Sequence, residues 1–271
     1  MSIRVFIILI IALLASSCGE YEKLLKSTDY ELKRTKALEF FDEGKYVRTS
    51  ELLAQILPRF RGTDEAENMT WISANCYFNM RDYITASAAF RNFAETYPYN
   101  EHTEEATFMA AYCDYMMAPR PNLDQTFTNL AIEGFTYFQR LFPDSEKIEE
   151  SQNLIDELED KLVEKSYLSA KMYYEQKKYK AAIVALSNSL KKYPETRHRE
   201  ELLFLKLESA YLYAANSVSD KQQERYQDTL DEYYSFIEEF PDTGYSRDLE
   251  RIYSDTALFL RLDDSVEMIN K

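Results

Sequence analysis

The sequence contains little glycine and little positive charge, and each shortage excludes a class of function. Only five of the 271 residues are glycine, and they are too far apart to form a G-x-G-x-x-G or G-x-x-x-x-G-K-[ST] nucleotide-binding loop. Lys and Arg number 32 against 47 Asp and Glu, and the formal net charge is -15. This balance argues against nucleic acid as a partner and against a polybasic attachment to anionic lipid.

Histidine and cysteine are also scarce, which leaves few groups for catalysis or metal binding. His102 and His198, the only histidines, both follow a proline and lie among polar residues. We therefore predict two exposed loop histidines, no catalytic residues, no metal site, no cofactor and no enzymatic activity. For Cys76 and Cys113 two interpretations remain, a disulfide in an exported protein or two small buried residues on helix faces, and the second is favoured.

The first residues have the pattern of an export signal. Arg4 precedes an apolar run over residues 5–14, and the small residues 15–17 lead to Cys18. A bilayer-spanning helix needs about 20 apolar residues, so this run is too short for a permanent anchor. The L-A-S-S-C segment resembles a bacterial lipobox, although Ala15 stands where leucine is usual. It predicts a lipoprotein signal peptide over 1–17 and a covalent lipid on Cys18, the alternative being an ordinary signal peptide.

Prolines recur along the chain with a regular local context. Five of the seven are spaced by 40, 45, 51 and 47 residues: Pro58, Pro98, Pro143, Pro194 and Pro241. The last four each follow an aromatic residue, and a small residue stands twelve positions earlier: Ala86, Ala131, Ala182 and Thr229. A small residue followed by bulky residues one and two turns later allows a neighbouring helix to approach closely, and a proline then ends the helix.

Each of these helices has a partner helix upstream, so the repeating unit is a helix–turn–helix of about 34 residues. The pattern resembles the tetratricopeptide repeat (TPR) and predicts an all-α solenoid of about five helical hairpins. We expect three repeats in an N-terminal half, 18–146. A long connecting helix, two further repeats and a tail occupy 147–271.

The resemblance to TPR proteins also predicts a binding groove, because the first helix of each TPR hairpin lines a concave surface. The residues expected there are Trp71, Asn75 and Phe78 in repeat two, and Tyr167, Lys171 and Tyr174 in repeat four. Aromatic rings and an amide suit an extended peptide or a partner helix. The alternative is that the aromatic residues pack between helices.

A lipobox followed by five TPR units resembles the BamD family, lipoproteins of the machinery that assembles β-barrel proteins in bacterial outer membranes. The most specific stretch runs from Lys161 through Tyr167 and Tyr174 to Ile183. The resemblance implies a non-catalytic scaffold, lipid-anchored to the outer membrane with its body in the periplasm. Its implied partners are a BamA-type barrel subunit, other assembly lipoproteins and unfolded outer-membrane proteins. The alternative is a SusD-like or other TPR envelope lipoprotein that captures a ligand.

Overall fold

The computed structural model describes residues 20–261, and within that range the fold is all-α. Residues 1–19, which include the predicted signal peptide and Cys18, and residues 262–271 of the predicted tail lie outside the described residues. A helical segment over 20–26 comes first. It is followed by α1 (Tyr30–Asp42), α2 (Tyr46–Phe60), α3 (Asp64–Asn79), α4 (Tyr83–Thr96), α5 (Thr103–Met117), α6 (Thr126–Leu141), α7 (Ile148–Glu175), α8 (Tyr179–Lys192), α9 (Arg199–Ala215), α10 (Ser219–Glu239) and α11 (Ser246–Leu260).

The helices pair as antiparallel hairpins of the TPR type, which confirms the predicted fold class. The pairs are α1–α2, α3–α4, α5–α6 and α9–α10, and α11 packs on α10. The C-terminal part of α7 pairs with α8 through a shared core cluster and a hydrogen bond between Ser166 and Ser189. The predicted long helix is also present, since α7 is 28 residues long. None of the helices among residues 20–261 is both long and apolar enough to cross a membrane.

The short turns inside three of the hairpins each contain one residue with left-handed backbone geometry. Gly44 fills this position between α1 and α2 with φ 72°, and Arg81 and Lys177 fill it in the next two short turns, with φ 62° and 58°. A left-handed residue turns the chain sharply at a helix end, and glycine adopts it without steric cost. Short turns centred on these residues therefore join the two helices of three hairpins.

The linkers between hairpins share a short motif, in which a proline is followed by an acidic residue and then by a serine or threonine. It occurs after Pro143, Pro194 and Pro241. The hydroxyl oxygens of Ser145, Thr196 and Thr243 accept a hydrogen bond from the amide two residues later, at 3.1–3.2 Å. Each motif therefore fixes the start of the next hairpin. Pro58 departs from the pattern, because α2 continues past it to Phe60. The expectation that every repeat proline follows a helix end was wrong there.

The described chain divides into two compact units, and each has its own core. Within the described residues 20–261, the first unit runs to 119 and includes 125–158, and the second includes 120–124 and resumes at 159. The division therefore falls within α7, whereas the sequence pattern placed it before that helix. Ile155 and Leu158 of α7 belong to a core cluster of the first unit, and Tyr167 and Ala170 belong to the core of the second.

The predicted small residues lie at helix contacts. Ala86, Ala131, Ala182 and Thr229 are all fully buried. Gly134 on α6 is even closer to its neighbour, because a Cβ atom built on it would lie 2.8 Å from the Cβ of Ala111 on α5. Small side chains therefore set the helix separation in both units.

Replacing Ala182 tests this packing. Ala182→Leu adds three carbon atoms to a fully buried position and should lower the free energy of unfolding by about 1–3 kcal/mol. The neighbouring Ala181 is exposed, so Ala181→Leu is a matched control that should leave stability nearly unchanged. Urea denaturation of both variants measures the difference, and equal stabilities would contradict a helix-contact role for Ala182.

The structure favours the second interpretation of the two cysteines. Cys76 and Cys113 are free, buried thiols in different core clusters of the first unit. Burial raises the pKa of each thiol to about 12, so neither forms the reactive thiolate at neutral pH.

Candidate partner-binding surface

The first helices of the second to fifth hairpins carry three residues at matching positions, which we call the first, middle and last ladder positions. They are spaced by four and then three residues, so they share one helix face. In the first unit they are Trp71, Asn75 and Phe78 on α3, and Phe108, Tyr112 and Tyr115 on α5. In the second unit they are Tyr167, Lys171 and Tyr174 on α7, and Phe204, Glu208 and Tyr211 on α9.

The aromatic ring at the first ladder position stacks on the residue just before the next hairpin helix. Trp71 stacks on His102 with ring centroids 4.6 Å apart, and Tyr167 stacks on His198 at 3.9 Å. In the same way Phe204 stacks on Tyr245 at 3.9 Å. These stacks join consecutive hairpins through local ring contact.

The stacking corrects the prediction of two exposed loop histidines. Only 18% of the His198 side chain is exposed, and its Nε2 lies 2.8 Å from Oε2 of Glu164. His102 keeps 37% of its side chain exposed beneath Trp71. The prediction was therefore wrong for His198 and missed the stack at His102. The sequence pattern could not show it, because each ring partner is 31 residues away.

Tyrosines at the last ladder position donate hydrogen bonds to a carboxylate on the next first helix. The hydroxyl of Tyr115 donates to Glu157 at 2.8 Å, and that of Tyr174 donates to Glu208 at 2.7 Å. Tyr211 repeats the contact with Asp255 at 2.6 Å. Burial, together with the nearby carboxylate, raises the pKa of Tyr115 and of Tyr211 to about 12, so both hydroxyls remain protonated donors.

Lys171 lies at the centre of a polar network in the second unit. Its Nζ donates to the Tyr167 hydroxyl at 2.8 Å and to Oε1 of Glu201 at 2.8 Å. Burial acts to raise the pKa of Glu201, but the hydrogen bonds from Lys171 and Tyr167 outweigh it, and the pKa is lowered. Glu201 is thus held ionised against α7.

The six predicted groove residues differ in how much of their surface is available. Tyr167 is buried beneath His198, with 7% exposed. The side-chain amide of Asn75 donates to the Trp71 carbonyl of its own helix at 2.9 Å. Phe78, Lys171 and Tyr174 are half-buried at the surface of their units. The aromatic residues therefore also serve packing, as the alternative interpretation held.

The structure adds residues that the sequence analysis did not name. Tyr112, Tyr115, Glu208 and Tyr211 occupy the middle and last ladder positions of α5 and α9. The sequence contains the spacing that identifies them. Tyr115 follows Phe108, and Tyr211 follows Phe204, by the same seven residues that separate Phe78 from Trp71. In the part of the chain that the structure describes, no group of three or more His, Cys, Asp or Glu side chains could hold a metal ion.

The helical hairpins and their ladder residues place the protein in the class of all-α, TPR-type repeat proteins, which offer side chains to partners along their first helices. The chain belongs to the YfiO family of outer membrane lipoproteins, whose family model matches residues 33–225. This finding associates the chain with the outer membrane and agrees with the lipoprotein signal predicted from its first eighteen residues.

Known proteins similar to this chain include an assembly factor. The outer membrane protein assembly factor BamD of Haemophilus influenzae is 24% identical over 221 residues, which cover 77% of this chain and 83% of that protein. Two crystal structures of TPR-like repeats from a putative kinesin light chain of Podosopora anserina were also matched. They have TM-scores of 0.34 and identities of 14% and 13%, and cover 79% of this chain and 96% and 97% of theirs.

Proposed function

We propose that this protein is a non-catalytic scaffold of the machinery that inserts β-barrel proteins into the outer membrane. The observation that carries the proposal is the similarity to an outer membrane protein assembly factor over 77% of the chain. Membership of an outer membrane lipoprotein family supports the same location. In this proposal the lipid on Cys18 anchors the protein to the outer membrane, and the folded body lies in the periplasm.

The ladder residues of the first unit are proposed to receive segments of incoming outer-membrane proteins. The rings of Phe78 and Tyr112 meet at a tilted angle of 47°, with centroids 6.2 Å apart, and Asn75 lies on the same helix face as Phe78. Unfolded barrel strands alternate apolar and polar side chains. Half-buried rings beside amide and hydroxyl groups suit both kinds of side chain.

The ladder residues of the second unit are proposed to contact the barrel subunit and the other assembly lipoproteins. This surface carries fixed charges, because Lys171, Glu201 and Glu208 are hydrogen-bonded between α7 and α9. Charges fixed by the fold lose little freedom on binding and therefore favour one defined partner.

Site-directed photocrosslinking tests both assignments. A photoreactive phenylalanine analogue at Phe78 should capture unfolded outer-membrane proteins in cells, and at Tyr174 it should capture the barrel subunit. The same analogue at Tyr99, which is fully exposed in a linker, is the control and should capture neither. The captured proteins are identified by mass spectrometry.

A pull-down through a C-terminal tag after detergent extraction gives an independent measurement. We expect the outer-membrane barrel subunit to be recovered with the protein. Its absence would contradict the proposed function. Recovery of the barrel subunit with equal crosslinking at Phe78, Tyr174 and Tyr99 would contradict only the proposed surfaces.

A further inference from the structure

A groove of about 530 Å³ lies beside the N-terminal helical segment of the first unit. It is lined by residues of the segment 20–26, of α1 and of the start of α2. The lining includes the rings of Tyr21 and Phe40 and the cations of Lys23, Lys45 and Arg48. No step of the proposed scaffold function uses this groove.

The segment 20–26 is fixed to the folded body and is not a free linker. The Tyr21 hydroxyl donates to Oε2 of Glu51 at 2.5 Å, and the Tyr21 ring meets Phe40 edge to face at 5.8 Å. Nζ of Lys33, a buried residue, donates to the Leu25 carbonyl at 3.0 Å. The groove and the start of the described chain therefore form one rigid body.

Very little chain separates this rigid body from the predicted lipid. Cys18 precedes Glu20 by two residues, and consecutive Cα atoms are about 3.8 Å apart, so their Cα atoms lie within about 8 Å of each other. Acyl chains on Cys18 would then hold the groove at the level of the lipid headgroups. This step rests on the lipid anchor of the proposed function.

The charge of the groove differs from that of the whole chain. Its lining contains four cations and three carboxylates, although the chain has a net charge of -15. Lys36 pairs with Glu39 and Lys45 pairs with Glu43. Lys23 and Arg48 then remain against Glu20 in the lining and Glu51, whose carboxylate accepts from Tyr21. The local balance is therefore close to neutral, in contrast to the strongly acidic chain.

Arg48 is the best placed anion-binding group in this groove. Its guanidinium lies over the rings of Tyr21 and Phe40, 4.8 Å and 5.7 Å from their centroids. Among residues 20–261 no carboxylate forms an ion pair with Arg48, which is half-buried. A guanidinium held on aromatic faces keeps its N–H donors oriented for the planar, two-point recognition of phosphate oxygens.

We propose that this groove binds the phosphate of a phospholipid headgroup in the leaflet that holds the acyl chains of Cys18. The acidic chain as a whole is repelled by anionic lipid, so a polybasic attachment is excluded. The short tether removes that difficulty, because it makes headgroup binding an intramolecular event at high effective concentration. Arg48 and Lys23 contact the phosphate, and Tyr21 and Phe40 hold Arg48 in place.

Native mass spectrometry of the purified lipidated protein in neutral detergent tests the proposal. The probes are short-chain phosphatidylglycerol, glycerol and inorganic phosphate. We expect one phosphatidylglycerol to bind more tightly than inorganic phosphate, and glycerol not to bind. Arg48→Gln should weaken lipid binding about tenfold, since it removes a charge-assisted hydrogen bond. Arg48→Lys keeps the charge but loses the planar two-point geometry, so its lipid binding should fall between that of Arg48→Gln and that of the unmodified protein.

Arg59→Gln is the matched control. Arg59 also lies on α2 and over an aromatic ring, that of Tyr30 at 5.2 Å, but it does not line the groove. This variant should bind lipid as the unmodified protein does, and thermal melts check that each variant folds. Equal lipid binding by Arg48→Gln and Arg59→Gln would overturn the proposal, as would inorganic phosphate binding as tightly as the lipid.

The intact mass separates failure of this proposal from failure of the scaffold function. A mass that lacks the acyl chains would contradict the proposed lipid anchor, and with it the proposed headgroup site. If the mass shows the expected acyl chains and the tagged protein still recovers the barrel subunit, the scaffold function is supported. That conclusion does not depend on whether Arg48→Gln weakens lipid binding.

Discussion

Replacing Cys18 by alanine, with residues 1–17 exchanged for an ordinary cleavable export signal, should release the protein from the membrane. Each acyl chain stabilises membrane attachment by about 0.8 kcal/mol per buried CH₂, so a sixteen-carbon chain contributes on the order of 10 kcal/mol. No helix within residues 20–261 could replace that attachment by crossing the bilayer. We expect nearly all of the protein to move from the membrane pellet to the soluble fraction after an alkaline wash.

The fold should not change in this variant, because the segment that follows Cys18 is fixed by its own contacts. Tyr21 contacts Phe40 and donates to Glu51, and Leu24 and Leu25 pack against the core of the first unit. The thermal midpoint should therefore match that of the unmodified protein. Cys76→Ala is the control for loss of a cysteine, and it should remain in the pellet. Retention of Cys18→Ala in the pellet would contradict the lipid anchor.

Replacing Arg91 by methionine should destabilise the first unit, because it leaves a buried carboxylate without its counter-charge. The guanidinium of Arg91 on α4 pairs with Asp114 on α5, whose side chain is only 4% exposed. The hydroxyl of Ser87 also donates to Asp114 at 3.1 Å. Because 45% of the Arg91 side chain is exposed, solvent screens part of this pair, and urea denaturation at neutral pH should show a loss of about 1–3 kcal/mol.

The loss should depend on pH in a defined direction. Burial raises the pKa of Asp114, and the charge of Arg91 and the hydrogen bonds from Ser87 and Arg91 oppose this effect. Without Arg91 the folded-state pKa rises further above the unfolded value. In the interval between those two values the folded state binds more protons, so stability increases as the pH falls through the folded-state pKa. The deficit of Arg91→Met should therefore shrink in mild acid.

The double variant Arg91→Met with Asp114→Leu distinguishes two causes of the stability loss, the unpaired buried charge and the loss of side-chain packing. Replacing both partners by apolar residues should restore stability to within about 1 kcal/mol. Arg140→Met is the control for loss of an exposed arginine, and we expect almost no effect from it. A stable Arg91→Met variant, or a deficit that grows as the pH falls, would contradict this account.

Local patterns in the sequence predicted most of the fold. The spacing of Ala86, Ala131 and Ala182 before aromatic–proline pairs identified the second helices, and all three alanines are fully buried. The run after Lys147 identified the long helix, which extends over Ile148–Glu175. These predictions succeeded because helix periodicity, turn residues and small contact positions act within one hairpin of about 34 residues.

The sequence did not predict contacts between separate hairpins. The ion pair between Arg91 and Asp114 was not among the predictions, because a charge on a helix is usually solvated. His198 looked exposed because its neighbours are polar, yet its ring stacks on Tyr167 from another hairpin. The ladder contact between Tyr174 and Glu208 joins residues 34 positions apart. No local pattern encodes such pairs.

The sequence alone determined the succession of hairpins, the long helix and the small residues at which helices meet, and it predicted the export signal, because each depends on spacing within a short stretch of chain. Only the tertiary structure decided which charges are buried, which rings stack, and that the segment after the predicted lipid is fixed against α1 and α2 beside the groove that Arg48 lines. The physical reason is that burial and pairing depend on helices brought together from distant parts of the chain, where desolvation outweighs local preference.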